Sequence, residues 1–239
     1  MRTGAPIFTN IPEGITPTET AISNLKFQSK NPSHHNNHEN LRSFSIFARM
    51  ENFDADIEKC LDVLRSGGTI LYPTDTVWGL GCDATDAAAV DKIFEVKQRP
   101  ASSSMIILLA DERDILKYVA GIDLQVFDYL NSVTKPTTVI YQGAIGLADN
   151  VINKDGSIGI RLVKDDFCKH LIKRFRKPIV STSANISGQP TPAKFADIDE
   201  SIKNNVDYVV KYRQHEIAEA AASAIVKWNG VNDITIIRK

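Results

Sequence analysis

Two cations, Lys97 and Arg99, close the stretch "FEVKQRP" just before an apolar run. An ammonium and a guanidinium at one corner can neutralise a phosphate or a carboxylate, the guanidinium through its planar fork. Cations in a last helical turn also complement the helix macrodipole, and Pro100 by itself stops a helix. Lys97, however, falls four residues after Ile93, on the face of the apolar stripe, where a charge needs an anion. A second cluster, "STSANISG", sets Ser181, Thr182, Ser183, Asn185 and Ser187 at the end of an apolar strand pattern, followed by Gly188. Hydroxyls and an amide at a strand end can hold phosphate oxygens or a base edge. A loop that satisfies only its own backbone needs fewer of them. A third stretch, "YPTDTVWGLGCDAT", breaks a strand with Thr74, Asp75 and Thr76, then adds Gly79 and Gly81. Their bare backbones would let a ligand approach closely, although a Pro-initiated turn with Asp in its usual place uses the same residues. Trp78 reads as core. Arg161 interrupts "SIGIRLV" and, if buried, requires an anionic partner. The basic run "KHLIKRFRK" (169–177) fits an RNA patch or the solvated face of an amphipathic helix.

The elements that would position these groups alternate between strand and helix. The pattern predicts a helix over 54–66, with Ile57, Leu61 and Leu64 on one face and a glycine stop at Gly67-Gly68. A short buried strand "TILYPT" follows, then a helix over 85–97 with Thr85 as its N-cap and Val90, Ile93 and Phe94 inside. "SMIILLA", "TTVIYQG", "SIGIRLV" and "PIVSTS" read as strands, with short helices near 112–119 and 124–131 and a longer one over 165–175. Three more strands, "VDYVV", "SAIVKW" and "ITIIRK", end the chain. Strands that follow one another directly point to a mixed α/β sheet rather than a purely parallel one. No GxGxxG follows the first strand and no GxxxxGK[ST] occurs, so the standard dinucleotide and P-loop sites are excluded.

The 239 residues suffice for one large domain or two small ones, and a net charge of −1 gives no bulk attraction to nucleic acid or membrane. Cys60, Cys82 and Cys168 have neither zinc nor disulfide spacing, which fits a reducing cytoplasm. No run reaches the ~20 apolar residues of a membrane helix. Residues 1–49 are polar and aperiodic and are expected to be a disordered extension, with Met50 as a candidate natural start and 50–239 as the folded domain. The histidines His34, His35 and His38 lie in that extension without a further ligand type, and no protein-bound metal site is expected.

Taken in order, "GGTILYPTDTVWGLGCDAT", "VDKIFEVKQRP", "PTTVIY", "GIRL" and "STSANISGQPTP" resemble the YrdC-type threonylcarbamoyl-AMP synthases over about residues 54–239. The family's KxR…SxN signature corresponds to Lys97, Arg99, Ser183 and Asn185. The resemblance implies an open, twisted mixed α/β sheet with flanking helices and a cationic concave cavity. It implies an enzyme, in the short single-domain form, that makes threonylcarbamoyl-AMP and pyrophosphate from L-threonine, bicarbonate or CO2, and ATP with Mg2+. A separate transferase would then modify tRNA beside the anticodon, and a weak contact with double-stranded RNA or tRNA is compatible with that role. By motif position Lys97 and Arg99 would be catalytic. Thr76, Thr138, Arg161, Ser181 and Ser223 would meet substrate. Lys97, Ser183, Asn185, Thr191 and Arg238 would hold ATP. The chain departs from the common pattern at Ser104, Met105 and Leu108, where many members of the family carry Pro, Leu and His, and at Thr182 and Ala224. A binding module of the same fold without turnover is the competing reading.

Overall fold

The computed structural model describes residues 53–100, 104–216, 221–230 and 233–239. The expected extension over 1–49 lies outside the described residues. Helix α1 (Asp54–Arg65) buries Ile57, Cys60, Leu61 and Leu64, and Gly67 beyond it takes a φ of +70°, the left-handed stop that its glycine permits. Strands β1 (Ile70–Tyr72) and β2 (Gly79–Gly81) follow, then helix α2 (Ala87–Val96). The N-cap of α2 is Asp86, whose carboxylate accepts from the amides of Ala88 and Ala89. Thr85, the expected cap, is instead held by Asp83, to which its amide and hydroxyl both donate.

Strand β3 (Ile106–Leu109), a 3-10 helix (Glu112–Lys117), helix α3 (Val126–Ser132), and strands β4 (Thr137–Tyr141) and β5 (Ile158–Leu162) come next. Helix α4 (Asp166–Phe175), strand β6 (Ile179–Ser183), a 3-10 turn (Phe195–Asp197), helix α5 (Glu200–Asn204) and strands β7 (Tyr208–Val209), β8 (Ala224–Gly230) and β9 (Asp233–Arg238) complete the chain. The strands form one sheet in the order β7-β1-β2-β6-β3-β5-β4-β8-β9. Three pairs, β1–β7, β3–β5 and β4–β8, are parallel and the other five antiparallel, so the sheet is mixed, as the strand succession predicts.

Strand β2 has no sequence signal, because glycine at two of its three positions removes the side chains on which strand propensity rests. Gly81 is required by packing rather than by a ligand. A Cβ there would lie 2.7 Å from Tyr72 Cε1 and 2.8 Å from the Val180 carbonyl oxygen. Helix α4 buries Phe167, Cys168, Leu171, Ile172 and Phe175, and its Arg174 reaches Asp54 and Glu58 on α1. Part of the basic run is therefore committed to holding two helices together, which favours the solvated-face reading of 169–177. The three cysteines are free and buried, and burial pushes their thiols up, which disfavours the nucleophilic thiolate. No described helix is long and apolar enough to cross a membrane.

Candidate active site

A cavity of about 410 Å³ opens over one face of the sheet, walled by the loop entering β2, the start of β3 and the strands β4, β5, β6 and β8. Strand alternation selects its lining. On β5, Gly159 and Arg161 face the cavity while Ile158 and Ile160 pack into the core. On β6, Ser181, Thr182 and Ser183 all line it and Val180 does not, so the alternation seen on β5 gives way at the end of β6. Cross-strand register then brings distant residues together: Thr138 pairs with Arg161 and with Ile225, and Gly79 pairs with Ser183. A Cβ at Gly159 would come 2.9 Å from Ile106 Cγ2 and 3.3 Å from Thr138 Cγ2, so the absent side chain keeps the floor open.

Three arginines, Arg99, Arg161 and Arg238, line this cavity with eight hydroxyl side chains, and no carboxylate is among the described lining residues. Nine of the eleven residues named from the sequence line it: Thr76, Arg99, Thr138, Arg161, Ser181, Ser183, Thr191, Ser223 and Arg238. The Thr138 and Ser223 hydroxyls lie 2.9 Å apart, and Arg238 Nε donates to the Ser223 carbonyl at 2.9 Å. Thr74 donates its one hydroxyl proton to the Val77 carbonyl at 2.8 Å. In its 2.9 Å contact with Thr76 it must therefore accept, which leaves the Thr76 oxygen lone pairs available as acceptors.

Lys97 and Asn185 do not line the cavity. Lys97 is 2% exposed, as its place on the apolar stripe predicts. Its Nζ donates to the carbonyls of Ser183 at 2.5 Å and Asn185 at 2.8 Å, and its own carbonyl accepts from the Ser187 amide at 2.9 Å. Burial, and secondarily the charge of Arg99, lowers its pKa to about 8. Burial also lowers the pKa of Arg99. Asn185 folds its side-chain amide onto the carbonyls of Ile186 and Gln189, closing the loop on itself. Both residues thus shape the 183–191 loop from beneath. The sequence places Lys97 on an inward face, but its partners, carbonyls 86 and 88 residues away, carry no local signal.

Gly159, Ser104 and Asn153 line the site without having been named for it. An isolated glycine inside the alternating pattern "SIGIRL" is the one available signal, since it marks close approach in a strand. Leu108 is fully buried in register with Arg161.

The family model for the Sua5/YciO/YrdC domain, described as "Telomere recombination", matches residues 62–239. The chain belongs to this family. It is 31% identical over 157 residues to the threonylcarbamoyl-AMP synthase of Pseudoalteromonas translucida (strain TAC 125), covering 64% of this chain and 84% of that one. To the threonylcarbamoyl-AMP synthase of Vibrio campbellii (strain ATCC BAA-1116) it is 28% identical over 187 residues, covering 74% and 99%. Among solved structures, P. abyssi Sua5 complexed with L-threonine aligns with a TM-score of 0.67 at 23% identity, covering 76% of this chain and 53% of that one. E. coli YciO aligns with a TM-score of 0.66 at 22% identity, covering 77% and 88%. These two likenesses give the Sua5/YciO/YrdC fold.

Proposed function

We propose that the chain is a threonylcarbamoyl-AMP synthase. The single observation that carries this reading is the cavity with three arginines, eight hydroxyls and no described carboxylate, on a domain of this family. A carbamate formed from the threonine amine and CO2 attacks the α-phosphorus of ATP through an oxygen, and pyrophosphate leaves. Carbamate, carboxylate and triphosphate carry several negative charges into one space, and positioning with electrostatic stabilisation lowers the barrier without a covalent nucleophile. Thr76, Arg161, Ser181 and Ser223 receive threonine in this reading, with Thr138 behind them. Arg99, Ser183, Thr191 and Arg238 receive ATP. Thr191 also lines an adjoining recess of about 740 Å³ with Gln98 and Gln189, which gives the nucleoside room beyond the cavity. Lys97 and Asn185 act through the loop that they hold.

Mg2+ enters as part of the ATP substrate. The described residues contain no group of three or more His, Cys, Asp or Glu side chains able to hold a metal, so phosphate oxygens, water and hydroxyls are its fitting ligands. A transferase acting on tRNA would consume the product, in the cytoplasm. The full-length chain should release pyrophosphate from MgATP only when both L-threonine and bicarbonate are present. Tight ATP binding with no such release would replace this reading by that of a nucleotide-binding module.

A further inference from the structure

The three arginines of the cavity are not electrostatically equivalent. Arg161 is 4% exposed, and its Nη2 lies 3.2 Å from Asp75 Oδ1, the carboxylate being 8% exposed. The contact is an ion pair by distance, without hydrogen-bond alignment at that oxygen. The other carboxylate oxygen, Oδ2, accepts from the Lys164 amide at 3.2 Å, which fixes the acid behind the arginine. Arg161 Nη2 also sits 3.4 Å from the Thr74 hydroxyl, while its Nε–H is buried and has no partner. Neither Arg99 nor Arg238 is ion-paired among the described residues. The cavity therefore holds one guanidinium whose charge is already cancelled and two whose charge has no carboxylate partner among the described residues.

We propose that Asp75 is a specificity-determining positioning residue: by neutralising and orienting Arg161, it reserves the space beside that guanidinium for a zwitterionic amino acid and keeps polyphosphate off it. The proposal rests on the synthase reading for the identity of the amino acid, and on the ion pair alone for the exclusion of polyphosphate. A carboxylate can meet the Arg161 guanidinium, which lines the cavity, without a large net gain in Coulomb energy. A triphosphate gains most where positive charge is uncompensated and settles on Arg99 and Arg238. Without Asp75, Arg161 becomes an unpaired buried cation and a second attractor for polyanions, placed where the amino acid belongs.

The test uses calorimetric titration of the full-length protein with inorganic tripolyphosphate and with L-threonine, and steady-state pyrophosphate release. In Asp75→Asn, tripolyphosphate should bind at least ~10-fold tighter or at an additional site, and should become competitive with threonine. The Michaelis constant for threonine should rise ~10-fold while that for MgATP stays within about twofold. Unchanged tripolyphosphate binding and an unchanged threonine constant in a folded Asp75→Asn would overturn the proposal, because a merely structural acid moves neither selectively. Should that variant fail to fold, the charge-free pair Asp75→Asn/Arg161→Gln leaves no unpaired buried ion. It should lose threonine binding yet keep wild-type tripolyphosphate binding, and a gain in tripolyphosphate affinity there would equally overturn it. If wild-type protein shows no threonine-dependent release, the synthase reading fails, and the tripolyphosphate titrations still decide the role of Asp75.

Discussion

Two loops frame the cavity from neighbouring strands, and they are held in opposite ways. The 73–78 loop enters β2, and the 183–191 loop leaves β6, which pairs with β2. The first is pinned by charges that cancel. Asp75 faces Arg161, and Arg213 Nη1 donates to the Thr74 carbonyl at 3.2 Å while holding Asp165 at 2.9 Å. Asp165 is itself the N-cap of α4, so this loop is tied to the helical layer. The second loop hangs on one buried ammonium donating to two neutral carbonyls. The first loop is held by opposite charges in contact. The lone lysine, its pKa brought down to about 8, loses its charge-assisted hold above that value and keeps only the weaker donation of a neutral amine. The comparison predicts a rigid amino-acid side and a proton-dependent nucleotide side.

The largest break in this contrast comes from Lys97→Ala, which strips two buried carbonyls of their donor. Turnover should fall about 10²-fold or more, on the scale of a lost preorganised donor, with the threonine side left intact. Near-normal pyrophosphate release from a folded Lys97→Ala would refute the clamp. A pH profile sharpens the same point. In the free enzyme the ammonium is half titrated near 8, and the neutral amine left above it keeps its N–H donors but not its charge. Beyond that value kcat/KM should therefore fall by at most about tenfold per pH unit. Stability should move the other way. The buried lysine releases its proton before its unfolded counterpart, so between about 8 and the ordinary lysine range of about 10.4 the unfolded state binds more protons and this group's contribution to stability rises with pH. Activity falling while chemical-denaturation stability gains from Lys97 is a paired signature, and both limbs should vanish in Lys97→Met.

Smaller effects test the floor between the loops. Gly159→Ala pushes a Cβ to 2.9 Å from Ile106 and should cost about 1–3 kcal/mol, read as a melting point lower by roughly 2–4 °C per kcal/mol. An unshifted melting point would mean that β3 yields to the methyl. Thr138→Val removes the 2.9 Å contact to Ser223 and should cost about 1 kcal/mol, with the larger change in the threonine constant rather than that for MgATP.

Much of this architecture is legible in local sequence. The stripe of Ile57, Leu61 and Leu64, the Gly67 stop and the alternation in "SIGIRLV" each follow from side-chain period and backbone freedom over a few residues. Strand β2 escapes because Gly-Leu-Gly offers no such pattern, and its existence is imposed by β1 on one side and β6 on the other. The cap of α2 shifts from Thr85 to Asp86 because Asp83 captures Thr85 first, a competition between neighbouring side chains that a cap preference does not weigh.

The sequence by itself determined which residue types were available for anion chemistry and that a mixed sheet would carry them, since both depend on composition and short-range period. The register of nine strands decided the rest. It turned Arg161, Thr138 and Ser181 to one face, placed Asp75 behind Arg161, and sent Lys97 under the 183–191 loop instead of into the cavity. The Asp75–Arg161 and Lys97–Ser183 contacts join residues 86 apart. For the strand residues Arg161, Thr138 and Ser181 the facing is settled by pairing, where a shift of one residue would turn each of them away.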